Sequence, residues 1–177
     1  RTRQAVRPRY PAVTEPGRKP DKKLYLTPEG AAKLRAELAE LTGPRRKAIA
    51  DRLHHAVRQG DLSENADYIT AKEDQAFLEG RILELETILR QAEIVEGSGP
   101  ADIVDLGCQV IVAEDGGKAE TFVLVGLKEA DPRNGKISHE SPIGSALMGK
   151  RVGETAVAQT PGGELRFRIL EIRPRGS

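Results

Sequence analysis

The sequence predicts an α+β chain in which an antiparallel helical hairpin, a short coiled coil, precedes an antiparallel sheet with one short helix. Three observations predict it. Tyr68, Ala71, Gln75, Leu78, Ile82, Leu85, Leu89 and Ala92 recur at spacings of 3, 4, 3, 4, 3, 4 and 3, a heptad seam whose single polar member is Gln75. A second helical stripe precedes this one across a loop too short to do anything but fold the two back on each other. After Ala92 the apolar period changes from helical to alternating.

The elements follow in order. Residues 1–23 carry eight Lys/Arg against Glu15 and Asp21, with four prolines and almost no apolar periodicity, and read as a disordered basic arm. Such an arm solubilises the chain or makes weak, salt-sensitive contact with nucleic acid or an acidic protein surface. The formal charge of the whole chain is only +1, because residues 24–95 and 96–177 are each mildly acidic.

Thr27-Pro28-Glu29 starts a helix, with a hydroxyl cap, a proline at the first helical position and an acid in the first turn. Leu34, Leu38 and Leu41 follow at helical spacing, and the stripe resumes at Ile49, Leu53 and Ala56. The step from Leu41 to Ile49 is eight residues, one more than a heptad, so a kink or short break is expected at Gly43-Pro44. Gly60 ends this helix. The second helix, from about Glu64 to Ala92, would be roughly 43 Å long. Residues 24–95 are thus a rod with one sharp tip and no concave pocket, and its chemistry must lie at the tip or along its face.

Residues 96–177 read as the sheet domain. Gln109 to Val112 and Thr121 to Val125 flank a turn at Glu114–Lys118, and Thr155 to Gln159 and Leu165 to Ile172 flank Thr160-Pro161-Gly162-Gly163. Ser141-Pro142 opens the short helix and Gly149 closes it. The lone Cys108 lies in a strand-like setting and reads as an inert buried thiol.

Composition sets the limits. Apolar residues make up 38%, with three Phe, three Tyr and no Trp, a thin supply for one round core. No apolar run approaches the roughly 20 residues of a membrane span, and a single cysteine fits a reducing cytoplasm, so a cytoplasmic chain with no membrane contact is expected. One Cys with His54, His55 and His139 scattered cannot form a structural zinc site.

The tip reads Gly60-Asp61-Leu62-Ser63-Glu64-Asn65-Ala66-Asp67-Tyr68. Asp61-x-x-Glu64 has the form of a capping box, and acids at a helix N-terminus are stabilised by its dipole. Ser63 and Asn65 are equally candidates for the cap. Tyr68 sits in the seam, and Lys72 and Arg58 sit on solvated faces one to three turns from the tip.

This tip, with Ala71-Lys72-Glu73 and Glu79-Gly80-Arg81-Ile82, resembles the GreA/GreB transcript cleavage factors, and Ser141-Pro142-Ile143-Gly144, Leu147-Met148-Gly149-Lys150 and Thr160-Pro161-Gly162-Gly163-Glu164 resemble their C-terminal domain. The resemblance runs from Leu24 to Ile172, and the modest basicity of the tip places it closer to GreA. It implies a coiled coil that enters the secondary channel of RNA polymerase and acts on the backtracked RNA 3′ segment. Asp61 would then be a direct ligand of a second Mg²⁺ held jointly with the polymerase, and Glu64 would hold the ion's water or orient the attacking one. The factor would itself be no enzyme, and contacts to RNA or polymerase would come from Ser63, Asn65, Tyr68 and Lys72. Lys72 stands where the family has a basic residue, whereas Val57 takes the place of its arginine, with Arg58 one position on. The resemblance also implies an FKBP-like C-terminal domain that docks onto the polymerase through Ser141, Pro142 and Ile143, and a monomer.

Three rivals remain at this point. A Gre homologue that occupies the channel and inhibits should bear a different set of tip acids. An FKBP-like peptidyl-prolyl isomerase with a helical handle needs an aromatic-lined pocket, for which the C-terminal domain offers only Phe122 and Phe167. A bare coiled-coil adaptor would leave the tip motif incidental.

Overall fold

The computed structural model describes residues 23–61, 64–96 and 102–174. The basic arm lies outside the described residues up to position 22, as does Ser63. The chain divides into two compact units, Pro28–Ala92 and a second made of Glu93 onward together with the segment ending at Thr27.

The first unit is the helical hairpin. Helix α1 spans Pro28–Glu40, a π-helical turn Leu41–Arg45, helix α2 Arg46–Arg58, and helix α3 Ala66–Gln91. Both α1 and α2 pack on α3. The expected break at Gly43-Pro44 is instead this π turn, in which the Arg46 N–H reaches the Leu41 carbonyl five residues back. Pro44 has no N–H to offer an ordinary α turn, and a π turn takes in one extra residue. That extra residue is the one by which the step from Leu41 to Ile49 exceeds a heptad. The turn therefore returns Ile49 and Leu53 to the face that Leu38 and Leu41 occupy. The Thr42 hydroxyl donates to the Leu38 carbonyl at 2.8 Å, satisfying an acceptor there.

The α3 seam buries Ala71, Leu78, Ile82, Leu85 and Ile88. Leu89, expected in the seam, is half-buried, and Ile88 replaces it because a straight α-helix drifts by about 20° per heptad. Among the described residues, ion pairs cross the hairpin from Arg81 to Glu37 at 2.7 Å, Arg46 to Glu79 at 2.7 Å and Arg52 to Asp74 at 2.6 Å. Two accepting carboxylates, Glu37 and Glu84, raise the pKa of Arg81 above its ordinary value.

In the second unit, strands β1 (Leu24–Leu26) and β2 (Ala92–Ile94) form a two-stranded sheet. The others are β3 Gln109–Glu114, β4 Ala119–Val125, β5 Lys136–Ser138, β6 Thr155–Thr160 and β7 Gly163–Arg173, in the order β5-β4-β3-β7-β6. The sheet was expected to be wholly antiparallel; the β4–β5 pair is parallel. Both predicted hairpins are present and antiparallel. The parallel pair arises because the β4–β5 connection is no tight turn but holds two 3-10 turns, Leu127–Glu129 and Pro132–Asn134, which carry the chain back before β5 begins.

Helix α4 (Pro142–Leu147) completes the core with Leu147 against Val110, Val112, Leu124 and Ile169. A register shift between Ile111 and Val112 skips Leu170 and lets both Ile169 and Ile172 face inward. Phe122 and Phe167 meet edge to face at 6.1 Å within this core, so the two aromatics an isomerase pocket would need pack on each other. Cys108 is buried there, and that burial pushes its thiol pKa up. Among the described residues no helix is long and apolar enough to cross a membrane.

Candidate functional site at the hairpin turn

The turn between α2 and α3 is built from its capping residues. Gln59 closes α2, its N–H donating to the Ala56 carbonyl at 3.1 Å. Gly60 follows at φ +116°, a conformation open to glycine and strained for any side chain. At the other end Asn65 is the N-cap of α3, its side-chain oxygen accepting from the Tyr68 N–H at 3.1 Å. The amide nitrogen of the same side chain donates to the Ala56 carbonyl at 2.9 Å, joining the end of one helix to the start of the next. Ala56 and Ala71 are buried below it, small enough for the two helices to approach.

Asp61 and Glu64 both lie in this turn, ahead of the cap, and both are exposed. A capping box on Asp61 would place Glu64 in the first helical turn. With Asn65 as the cap, both acids stand outside the helix instead. Glu64 immediately precedes the positive end of α3, where the helix dipole favours a carboxylate, and Asp67 lies in its first turn.

The remaining tip positions divide. Tyr68 is half-buried in the seam, and Lys72 is exposed with its ammonium donating to Gln75 at 2.9 Å. Arg58 is exposed at the end of α2. One feature escaped the sequence reading: an open hollow of about 400 Å³ beside the turn, lined by Asp51, Arg52, His55, Ala56 and Asp67. Asp51 and His55, one helical turn apart on α2, are its signal in the sequence, but their convergence with Asp67 depends on the packing of α3.

In the second unit, the Ser141 hydroxyl donates to the Ser138 carbonyl at 2.7 Å and accepts from the Gly144 N–H at 3.0 Å, capping α4. A Cβ on Gly144 would come within 1.9 Å of the Ser138 carbonyl oxygen, so α4 sits on β5 only with glycine there. Ile143 packs half-buried against the core, which leaves Pro142 as the exposed member of the three expected docking residues.

Two family models match the chain, the transcription elongation factor N-terminal domain over residues 24–94 and the GreA/GreB C-terminal domain over residues 99–174. Transcription elongation factor GreA of Halalkalibacterium halodurans is 46% identical over 155 residues, covering 86% of this chain and 98% of that one. GreA of Chloroflexus aggregans is 48% identical over 155 residues, covering 86% and 99%. The crystal structure of the GreA factor homolog 1 protein of Thermus thermophilus is similar at 30% identity and a TM-score of 0.40, covering 86% of this chain and 99% of that one. With both domains matched in order, and relatives covered almost end to end, this chain belongs to the GreA/GreB family of transcription elongation factors.

Proposed function

We propose that the chain is a transcript cleavage factor, which carries Asp61 and Glu64 into the secondary channel of RNA polymerase and there stimulates the polymerase to cut its own backtracked RNA. The observation that carries this reading is the placement of both acids, exposed and outside the helices, in the single turn that ends the hairpin. Carboxylates in a packed seam could not reach a partner's catalytic centre; carboxylates on a turn can.

The donor set suits Mg²⁺, a hard cation that takes carboxylate oxygens and keeps several waters. Among the described residues no group of three or more His, Cys, Asp or Glu could hold a metal. Two tip acids are therefore a partial site, which fits an ion shared with carboxylates of the polymerase. Asp61 would hold the ion and Glu64 would hold its water or orient the attacking one. Bound between the two proteins, Mg²⁺ supplies polarisation of the scissile phosphate and a more acidic water. Asn65 joins the two helix ends on either side of the turn that carries both acids. On this reading the factor is inert on free RNA, and the surface around Pro142 docks on the polymerase.

A purified backtracked elongation complex tests the reading. The chain should shorten the RNA from its 3′ end in a Mg²⁺-dependent way, and Asp61→Ala or Glu64→Ala should slow cutting by about 100-fold while binding is retained. Cutting by either variant at the rate of the unaltered chain overturns the assigned roles. Binding by the unaltered chain without any cutting supports the inhibitor instead.

A further inference from the structure

Strand β5 ends the five-stranded sheet on one side and β6 on the other. The two edges are finished differently. At β5, which has only three residues, the Asp131 N–H donates to the Lys136 carbonyl at 2.8 Å and the Lys136 N–H to the Asp131 carbonyl at 3.0 Å, so the chain closes that edge itself. β6 is twice as long and carries no charge, proline or bulge.

Only alternate residues of an antiparallel strand bond to a given neighbour. Just ahead of β6 the Ile169 N–H donates to the Glu154 carbonyl at 2.9 Å, so the even positions of β6 bond to β7 and the odd positions turn their backbone groups outward. Among the described residues nothing bonds to the backbone N–H or C=O of Thr155, Val157 or Gln159. Their side chains are exposed, whereas Ala156 and Ala158 are buried where α4 packs on the strand. A row of open donors and acceptors flanked by neutral side chains is what another extended backbone takes up.

We infer that this edge pairs with the β6 edge of a second copy, antiparallel, about a two-fold axis at Val157. The strand is self-complementary in that register. Thr155 faces Gln159 of the second copy and Val157 faces Val157, giving about six backbone hydrogen bonds at two per facing pair. Ala156 faces Ala158, so no charge or bulk meets its like. In β7, Arg168 lies beside Thr155 and Glu164 beside Gln159. The axis therefore sets Arg168 in one row with Glu164 of the second copy, opposite charges roughly 14 Å apart across three strand spacings. Arg166, which shares the row of Val157, is already paired with Glu164 at 2.8 Å. Assembly stops at two copies, because the pairing consumes β6 and the β5 edge is closed. The basic arm suits the edge less well. Past Pro8 its prolines leave no stretch of six residues, and the stretch before Pro8 would bring Arg1, Arg3 and Arg7 towards Arg166 and Arg168. An edge of six residues falls short of the roughly 800 Å² per partner of a standard interface, so the pair is weak and the chain monomeric when dilute. The inference stands apart from the cleavage-factor reading.

Sedimentation of the full chain in a series up to about 1 mM should show a monomer–dimer equilibrium. Val157→Lys and Val157→Glu change only a side chain that faces solvent, and should melt close to the unaltered chain. Each should raise the dissociation constant of the dimer about tenfold, since like charges then meet at the axis. An equimolar mixture of the two should regain the dimer, because one variant's ammonium then faces the other's carboxylate. Val157→Pro removes the central outward N–H, spares the bonds to β7 and should also weaken the pair. An unaltered chain that stays monomeric throughout the series overturns the inference. A dimer that both charged variants keep within twofold lies on another face and overturns it too. A mixture no more dimeric than its two components overturns the pairing about Val157.

Discussion

Asn65 shows how much of the turn rests on one amide. Its oxygen caps α3 and its nitrogen holds the last turn of α2, so the side chain fixes both ends of the segment that carries Asp61 and Glu64. Asn65→Ala should lower stability by about 1–2 kcal/mol in chemical denaturation, and should slow cleavage even with both acids present. Asn65→Asp keeps the acceptor and loses the donor, so its loss of cleavage should exceed what the intact cap alone would allow. The site was half legible at this scale. Asp61, Ser63 and Asn65 are all good cap residues, and no local rule chooses among them. What decides is the carbonyl of Ala56, nine residues away, which only an amide at position 65 can reach while capping. Cys108 is buried as expected, one residue before β3. Its raised pKa leaves less thiolate near neutral pH than a free cysteine has, so a thiol reagent should label it far more slowly in the folded chain than in denaturant.

Among elements, the apolar seam of α3 outweighs the ion pairs that cross beside it. Leu85→Ala should cost about 2–5 kcal/mol because Leu85 is fully buried. Glu79→Ala, which removes the half-exposed pair with Arg46, should cost far less, and a denaturation series measures both. The seam was readable because a heptad repeats often enough to stand out. The π turn was present in the sequence too, as the eight-residue step, but proline suggested a break where the helix instead took in a residue. Strands β1, β2 and β5 were missed for a different reason. Each has three residues, too few for alternation to show, and the parallel pairing of β5 depends on how the two 3-10 turns route the chain.

Taken whole, the molecule interrupts one unit with another. The sheet unit draws β1 from before the hairpin, and the Thr27 N–H and hydroxyl both donate to the Glu129 carboxylate, 102 residues further on. Tyr25 meets His139 edge on at 5.8 Å. No periodicity announces contacts at that separation, so the sequence placed the boundary at Val95 and gave β1 to the hairpin. A fragment starting at residue 96 should therefore melt well below a chain in which residues 28–92 are replaced by a short glycine-rich loop. Thermal unfolding of the two compares them directly.

That interruption sets an order of events at birth. β1 leaves the ribosome first but has no partner until β2 follows, a delay as long as the hairpin itself. An antiparallel hairpin brings its own two ends together as it zips, so its collapse removes the chain entropy that would otherwise oppose the pairing of β1 with β2. The stalk is then the clasp that delivers the first strand to a sheet not yet made.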